Sequence, residues 1–166
     1  EGNLDKGIYS IFFFNIVRVQ EGEAVFQDAG VPHAYMLGQN IELMANSDNV
    51  LRGGLTPKHV DVPELLKHIT FKETIPDVLN GEVQPDGVEQ IYKSPAPDFE
   101  LSKLIIEADK VYESDSLTLE IFIVIKGEVK VRADIEVIVA SAGEVFAVVS
   151  GTSYQVQGHS ATLYKA

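Results

Sequence analysis

The second half of the chain is a series of short apolar segments separated by turn residues, and this pattern constrains the fold most strongly. Runs of β-branched and aromatic residues alternate there with turn signals at short intervals, which is typical of a β-sandwich or barrel. The predicted strands are 99–109, 117–125, 128–133, 135–140, 144–149, 153–157 and 161–164. The sequence therefore predicts an all-β protein.

The first half predicts further strands and one helix. The most apolar segment, residues 8–19, is almost wholly aromatic and β-branched and predicts a buried strand. A short helix is expected at 62–69, because Asp61 can cap it and Pro63 suits its first turn. The other strands expected in this half are 24–27, 33–37 and 41–45, and residues 72–98 are expected to form an irregular connection with one short strand.

Composition excludes several classes of function. The 166 residues carry a formal charge of −12, so binding of nucleic acid or of an anionic membrane by bulk charge is not expected. There is no cysteine, which excludes disulfides, thiolate metal sites and cysteine nucleophiles. No apolar run approaches the roughly 20 residues of a spanning helix. We expect a cytoplasmic protein.

A weak internal repeat suggests a duplication. Residues 22–35 and residues 143–154 each read as a turn, an apolar strand and a glycine-containing kink. Two jelly-roll units in tandem would give this pattern, although any two hairpins of an all-β protein could match by chance. We favour the duplication, with boundaries at 1–71, 72–98 and 99–166.

His33 is the most interesting of four histidines. It follows the turn Gly30-Val31-Pro32 and enters a predicted strand, which would hold an imidazole rigidly enough to bind a metal. A zinc site needs three or four ligands, however, and position alone favours a histidine that is satisfied by hydrogen bonds.

Residues 41–58 are polar where an ordinary β-protein would be apolar. Glu42 lies between two apolar residues, and Arg52 precedes Gly53-Gly54, where a ligand could approach the backbone closely. The guanidinium could stabilise an anionic or developing oxyanion oxygen. Alternatively, an ion pair between Asp48 and Arg52 could simply close the loop, and both interpretations can hold together.

These segments resemble a known family. Residues 22–35, GEAVFQDAGVPHAY, resemble the second cupin motif of the type I mannose-6-phosphate isomerases, and residues 41–58, IELMANSDNVLRGGLTPK, are similar to that family's signature segment. The strong likeness covers about residues 8–71, whereas residues 72–166 match the family's C-terminal jelly roll only weakly. The resemblance implies a cupin sandwich of two jelly-roll units, the first incomplete and the second degenerate and metal-free.

The resemblance also implies a reaction. The family interconverts mannose 6-phosphate and fructose 6-phosphate through a cis-enediol and binds one zinc ion. His33 matches the zinc-binding histidine and Arg52 the active-site arginine. Glu42 is expected to carry the proton or to orient its carrier, and Lys58 to hold the charge of the sugar phosphate.

Two further residues complete the expected site, which spans residues 30–58. Tyr35 is expected to contact the substrate together with the lysine named above. Asp48 matches a polar residue lining the same pocket, and we count it among the catalytic candidates.

The chain also departs from the family pattern. The other zinc ligands of the family, a Gln-x-His pair and a glutamate, come from an N-terminal half, and no Gln-x-His precedes His33. We therefore expect the C-terminal portion of a longer enzyme, with zinc weak or absent and no activity alone. Tyr154 stands in the place of His33 in the second unit, which is expected to be metal-free. The alternative is a non-catalytic cupin module that binds a sugar or effector.

Overall fold

The computed structural model describes residues 4–47 and 49–166, and these divide into two compact units. Unit 1 consists of Glu1–Gln20 and Val25–Val78, and unit 2 of Glu21–Ala24 and Leu79–Ala166. The described chain is mostly β-sheet with two short helices, so the all-β prediction is confirmed.

The helices and strands follow one another in a simple order. A 3-10 helix covers Lys6–Phe12, and the α-helix α1 covers Val62–His68. The strands are β1 (Ala24–Val25), β2 (Val78–Leu79), β3 (Glu82–Val83), β4 (Glu89–Tyr92), β5 (Leu101–Ile106), β6 (Val111–Asp115), β7 (Glu120–Lys126), β8 (Glu128–Ala133), β9 (Glu136–Ser141), β10 (Val145–Val148), β11 (Ser153–Gly158) and β12 (Ala161–Lys165).

In unit 1 the predicted helix is present, whereas several predicted strands are not. Asp61 caps α1 by accepting a hydrogen bond from the backbone N–H of Glu64 at 3.0 Å, and a proline lies in the first turn, as expected. The strand predicted over residues 8–19 is wrong, because the 3-10 helix covers its first part and no strand covers the rest. A strand needs a partner strand for its backbone hydrogen bonds, and the described residues supply none here. The strands expected at 33–37 and 41–45 are absent from the described residues for the same reason.

Unit 2 is a sandwich of two antiparallel sheets. The six-stranded sheet has the order β10-β7-β12-β5-β4-β3, and the four-stranded sheet has the order β6-β11-β8-β9. Because neighbouring strands are mostly distant in sequence, the chain crosses repeatedly between the sheets, as a jelly roll requires.

The core of unit 2 lies between these sheets. Strands such as β5, β8 and β10 bury every second residue, so one face of each sheet points inward. Phe122 stacks on Phe146 with ring centroids 4.7 Å apart and meets the ring of Tyr154 edge-on at 5.8 Å. Each fully buried large apolar side chain stabilises the fold by about 1.5–3 kcal/mol.

Most strand predictions for residues 99–166 are confirmed. β8 has the predicted bounds, and β9 to β12 differ from their predictions by one or two residues. The sequence analysis missed β6, whose residues Val111-Tyr112-Glu113-Ser114-Asp115 are mostly polar and follow a charged turn. The connection over 73–98 contains three short strands, β2 to β4, where one was expected.

Candidate functional site

The loop that leads to His33 is held by the segment after α1. The backbone N–H of Thr70 donates to the carbonyl of Gly30 at 2.8 Å. Gly30 has a φ of +78°, and a Cβ there would lie 2.5 Å from the carbonyl oxygen of His68, so only glycine fits. Helix α1 therefore fixes the position of the turn before the histidine.

The His33 ring is oriented by its own backbone. Nδ1 lies 3.0 Å from the carbonyl oxygen of Val31. Since a carbonyl only accepts, the contact requires a proton on Nδ1, which leaves the lone pair of Nε2 free in the neutral ring. This is the arrangement in which histidine binds a metal, with the second nitrogen bonded to an acceptor. The side chain is exposed.

Tyr35 and Glu42 are joined by a hydrogen bond. The hydroxyl donates to Oε1 of Glu42 at 2.9 Å, and the tyrosine ring meets the His33 ring edge-on with centroids 5.8 Å apart. Partial burial raises the pKa of Tyr35 to about 12, and the hydrogen bond to Glu42 and its negative charge add to the rise. Three of the predicted site residues are therefore connected.

The Arg52 loop is held by Asp5. One carboxylate oxygen of Asp5 accepts from the N–H of Gly7 at 2.7 Å, and the other accepts from the N–H of Leu55 at 2.7 Å. A Cβ on Gly54, whose φ is +121°, would lie 2.9 Å from that carboxylate. Gly54, the second of the two glycines after Arg52, is thus needed for the approach of the N-terminal 3-10 helix, whereas the sequence analysis expected this glycine pair to admit a ligand.

The two predicted cations make no ion pair with any described residue. Arg52 is partly buried, whereas Lys58 is exposed and only its backbone N–H bonds locally, to the hydroxyl of Thr56 at 3.2 Å. Neither contacts the His33, Tyr35 and Glu42 group through a hydrogen bond. Asp48 lies outside the described residues, so its expected ion pair with Arg52 stays a prediction.

A complete metal site is not found within residues 4–47 and 49–166. No group of three or more His, Asp or Glu side chains among them is placed to hold a metal ion. His33 supplies one imidazole, and zinc needs three or four ligands. A zinc ion therefore does not fit a site built from these residues alone. In the same described part of the chain, no helix is long and apolar enough to cross a membrane.

Unit 2 contains a shallow polar groove that sequence reasoning did not single out. It has a volume of about 510 Å³ on the outer face of the four-stranded sheet, lined by Glu113, Asp115 and Arg132 among others. Two of its carboxylates are already bonded within the sheet, since Ser153 donates to Asp115 at 2.5 Å and Gln155 to Glu113 at 2.7 Å. We assign the groove no ligand.

Sequence reasoning also missed a polar cluster inside unit 2. In β12 the alternation of the strand places Lys165 on the inward face with Ala161 and Leu163, and in β7 it places Glu120 with Phe122. The sequence carried one signal of this cluster, which is a charged residue at an inward-facing position of a strand that is otherwise apolar. Its recognition required the strand register, which the sequence does not supply.

Solved structures that resemble this chain define its class. The apo form of mannose 6-phosphate isomerase from Salmonella typhimurium superposes with a TM-score of 0.60 at 27% identity, over 74% of this chain and 31% of that one. A variant of phosphomannose isomerase from the same organism gives 0.61 at 26% identity, over 73% of this chain and 32% of that one. The fold is therefore of the jelly-roll type seen in these isomerases.

Curated sequences make the relationship more specific. The chain is 36% identical over 165 residues to mannose-6-phosphate isomerase 2 of Arabidopsis thaliana, covering 98% of this chain and 37% of the relative. It is 43% identical over 98 residues to mannose-6-phosphate isomerase of Escherichia coli, covering 59% of this chain and 25% of the relative. No family model matches the chain.

The chain is thus related to the mannose-6-phosphate isomerases over nearly its whole length, which confirms the resemblance found in the sequence. It spans between a quarter and about a third of the length of these relatives.

Proposed function

We propose that residues 4–71 form part of the active site of a zinc-dependent mannose-6-phosphate isomerase, an aldose–ketose isomerase that acts through a cis-enediol. The observation that carries this proposal is the connected group His33, Tyr35 and Glu42, which lies in the two segments that resemble the family, residues 22–35 and 41–58. The names of the curated relatives support the same activity.

The reaction moves a proton between neighbouring carbons and builds negative charge on two oxygens. Arg52 has no anionic partner among the described residues, and its guanidinium stabilises that charge. Glu42 carries the proton or orients its carrier, and the hydroxyl of Tyr35 holds the carboxylate in place. Lys58, exposed on the same loop, binds the phosphate charge.

The zinc ion of this proposal needs ligands beyond the residues that the structure describes. His33 offers a free Nε2 lone pair, and the longer relatives leave room for an N-terminal portion that would supply the other ligands. The same portion is the proposed partner of unit 1, where no described residue is buried and Phe13, Met36 and Leu37 are more than 80% exposed. We propose that the chain alone is inactive.

The domain assignment follows from this proposal. Residues 1–71 are the C-terminal part of the catalytic cupin unit, 72–98 a connection, and 99–166 a degenerate jelly roll that binds no metal. The absence of cysteine agrees with the reducing cytoplasm as its compartment.

A chimera tests the proposal. The matching segment of the E. coli isomerase is replaced by the corresponding residues of this chain, and isomerase activity and zinc content are measured on the same sample. Arg52→Ala should lower kcat/KM by about 100-fold through lost stabilisation of the developing charge, with zinc content unchanged. His33→Ala should lower the zinc content itself.

The matched control is Arg18→Ala, which removes an exposed arginine of unit 1 outside the site. Equal losses for Arg18→Ala and Arg52→Ala would contradict the catalytic role of Arg52. The alternative function, a sugar-binding module without chemistry, is favoured by the incomplete metal site among the described residues. A chimera that retains zinc and binds mannose 6-phosphate without turnover would support that alternative.

A further inference from the structure

One end of the interior of unit 2 is polar, and the proposed isomerase site does not use it. Four neighbouring strands of the six-stranded sheet each place one polar side chain there, and the facing sheet adds two tyrosines. We name this group the inner polar cluster, which consists of Glu89, Ser102, Glu120, Lys165, Tyr112 and Tyr154.

Strand register brings the cluster together. Lys165 of β12 pairs with Ser102 of β5 on one side and with Phe122 of β7 on the other. Directly paired residues in antiparallel strands project to the same face, and Ser102 and Phe122 are fully buried. The lysine side chain therefore points into the sandwich.

The ammonium of Lys165 is surrounded by oxygen atoms. Nζ donates to the hydroxyl of Tyr112 at 2.7 Å, and it lies 2.7 Å from Oε1 of Glu89 and 3.6 Å from Oε1 of Glu120. It also lies 5.2 Å from the centre of the Tyr112 ring, within the range of a cation–π contact.

The cluster holds more anionic groups than cationic ones. The side chains of Glu89, Glu120 and Lys165 are only 12–14% exposed, so one buried ammonium faces two buried carboxylates. Tyr154 donates to Oε2 of Glu120 at 2.6 Å. Burial disfavours the charged form of Lys165, but Glu89 and Tyr112 outweigh that effect and raise its pKa. The lysine is therefore the fixed cation of the cluster.

One buried oxygen atom is left over. The hydroxyl of Ser102, a residue 1% exposed, has no hydrogen-bond partner among the residues that the structure describes. Oε1 of Glu89, by contrast, is paired with the ammonium at 2.7 Å. Buried hydroxyls are normally satisfied, so an unpartnered one beside two carboxylates and a single charge indicates a space suited to a cation with oxygen ligands.

A buried salt bridge formed only for stability would pair one acid with one base in good hydrogen-bond geometry, because desolvation is otherwise not offset. The inner polar cluster does not have that form. We propose that it is a small-cation site that the chain fills with its own Lys165 ammonium, and that it binds a free primary ammonium ion when this side chain is truncated.

The test uses the 166-residue chain and thermal unfolding. Lys165→Ala leaves two buried carboxylates without a cation and should lower the Tm by roughly 10 °C or more. Ethylammonium should then raise the Tm in a saturable manner and restore at least half of the loss, as a ligand of the native state does. Tetraethylammonium, too large for the site, should have no such effect at the same ionic strength.

Two further variants make the test specific. Lys165→Met fills the space without a charge, and it should be destabilised and insensitive to ethylammonium. The double variant Lys165→Ala, Glu89→Gln should lose the saturable response, because one cation ligand is gone. If Lys165→Ala does not fold alone, its refolding yield in ethylammonium and in tetraethylammonium replaces the Tm, and a higher yield in ethylammonium supports the site.

Three results would overturn the proposal. The first is equal stabilisation, or equal refolding, by the two ammonium ions, which would be a bulk salt effect. The second is no response of Lys165→Ala to either ion. The third is a Lys165→Met variant as stable as the unmodified chain, which would show that the cluster needs no cation.

Discussion

Unit 1 and unit 2 are built from similar amounts of apolar sequence but differ in where that sequence lies. Unit 2 buries fifteen apolar residues in one core cluster, with Leu104, Phe122 and Leu163 completely buried. Among the described residues of unit 1, none is buried. Its apolar residues, such as Phe12 and Ile16, face solvent instead.

The difference teaches that apolar sequence makes a core only when a second layer is available to cover it. In unit 2 the strands pair in two sheets, and each sheet covers the other. In unit 1 the contacts are single hydrogen bonds, including the Asp5 cap, the α1 cap and the Tyr35 to Glu42 hydrogen bond. Such contacts hold loops in place without excluding water from the apolar side chains.

The largest expected effect is on the free energy of unfolding, when a buried leucine of unit 2 and an exposed phenylalanine of unit 1 are each truncated to alanine. Leu104→Ala should lower the free energy of unfolding of the chain by about 3 kcal/mol, because it leaves a cavity in a closed core. Phe13→Ala, on a side chain 81% exposed, should change it by less than about 0.5 kcal/mol. Urea unfolding followed by circular dichroism measures both, and comparable losses would show that unit 1 has a core of its own.

A second comparison uses limited proteolysis. In the isolated chain, cleavage should occur in residues 30–60 before any cut in 99–166, by at least about tenfold in rate, because the former backbone has few protecting contacts. In the chimera with the E. coli N-terminal portion, residues 30–60 should become resistant. Mass spectrometry identifies the cuts, and unchanged cleavage in the chimera would count against that portion as the partner of unit 1.

The smallest effect concerns one pair within unit 1. Tyr35 should titrate near its pKa of about 12, above the ordinary value of 10.0. Glu42→Gln removes the negative charge that opposes tyrosinate, so the pKa of Tyr35 should fall toward the ordinary value. NMR of ring-labelled tyrosine follows the titration, with Glu73→Gln, a carboxylate of unit 1 outside this pair, as control. If Glu42→Gln leaves the pKa of Tyr35 unchanged, the two side chains are not hydrogen-bonded in solution.

Several site features could be predicted from the sequence. The motif around His33 and Tyr35 and the cap at Asp61 are local, since residue type and short spacing determine them. The contact between Tyr35 and Glu42 was not predicted, although both residues were singled out, because seven residues of loop separate them. The role of Gly54 beside Asp5 was likewise hidden, because forty-nine residues separate the two in sequence.

The sequence by itself determined the all-β class, the helix after Asp61, most strands of residues 99–166 and the relationship to the isomerases. These follow from alternation, turn residues and motif spacing, all of which are local in the chain. Only the tertiary structure decided that residues 8–19 form no strand and that Lys165 meets Glu89 and Glu120. A strand and a buried charge both depend on partners far away in sequence, and strand pairing alone brings those partners together.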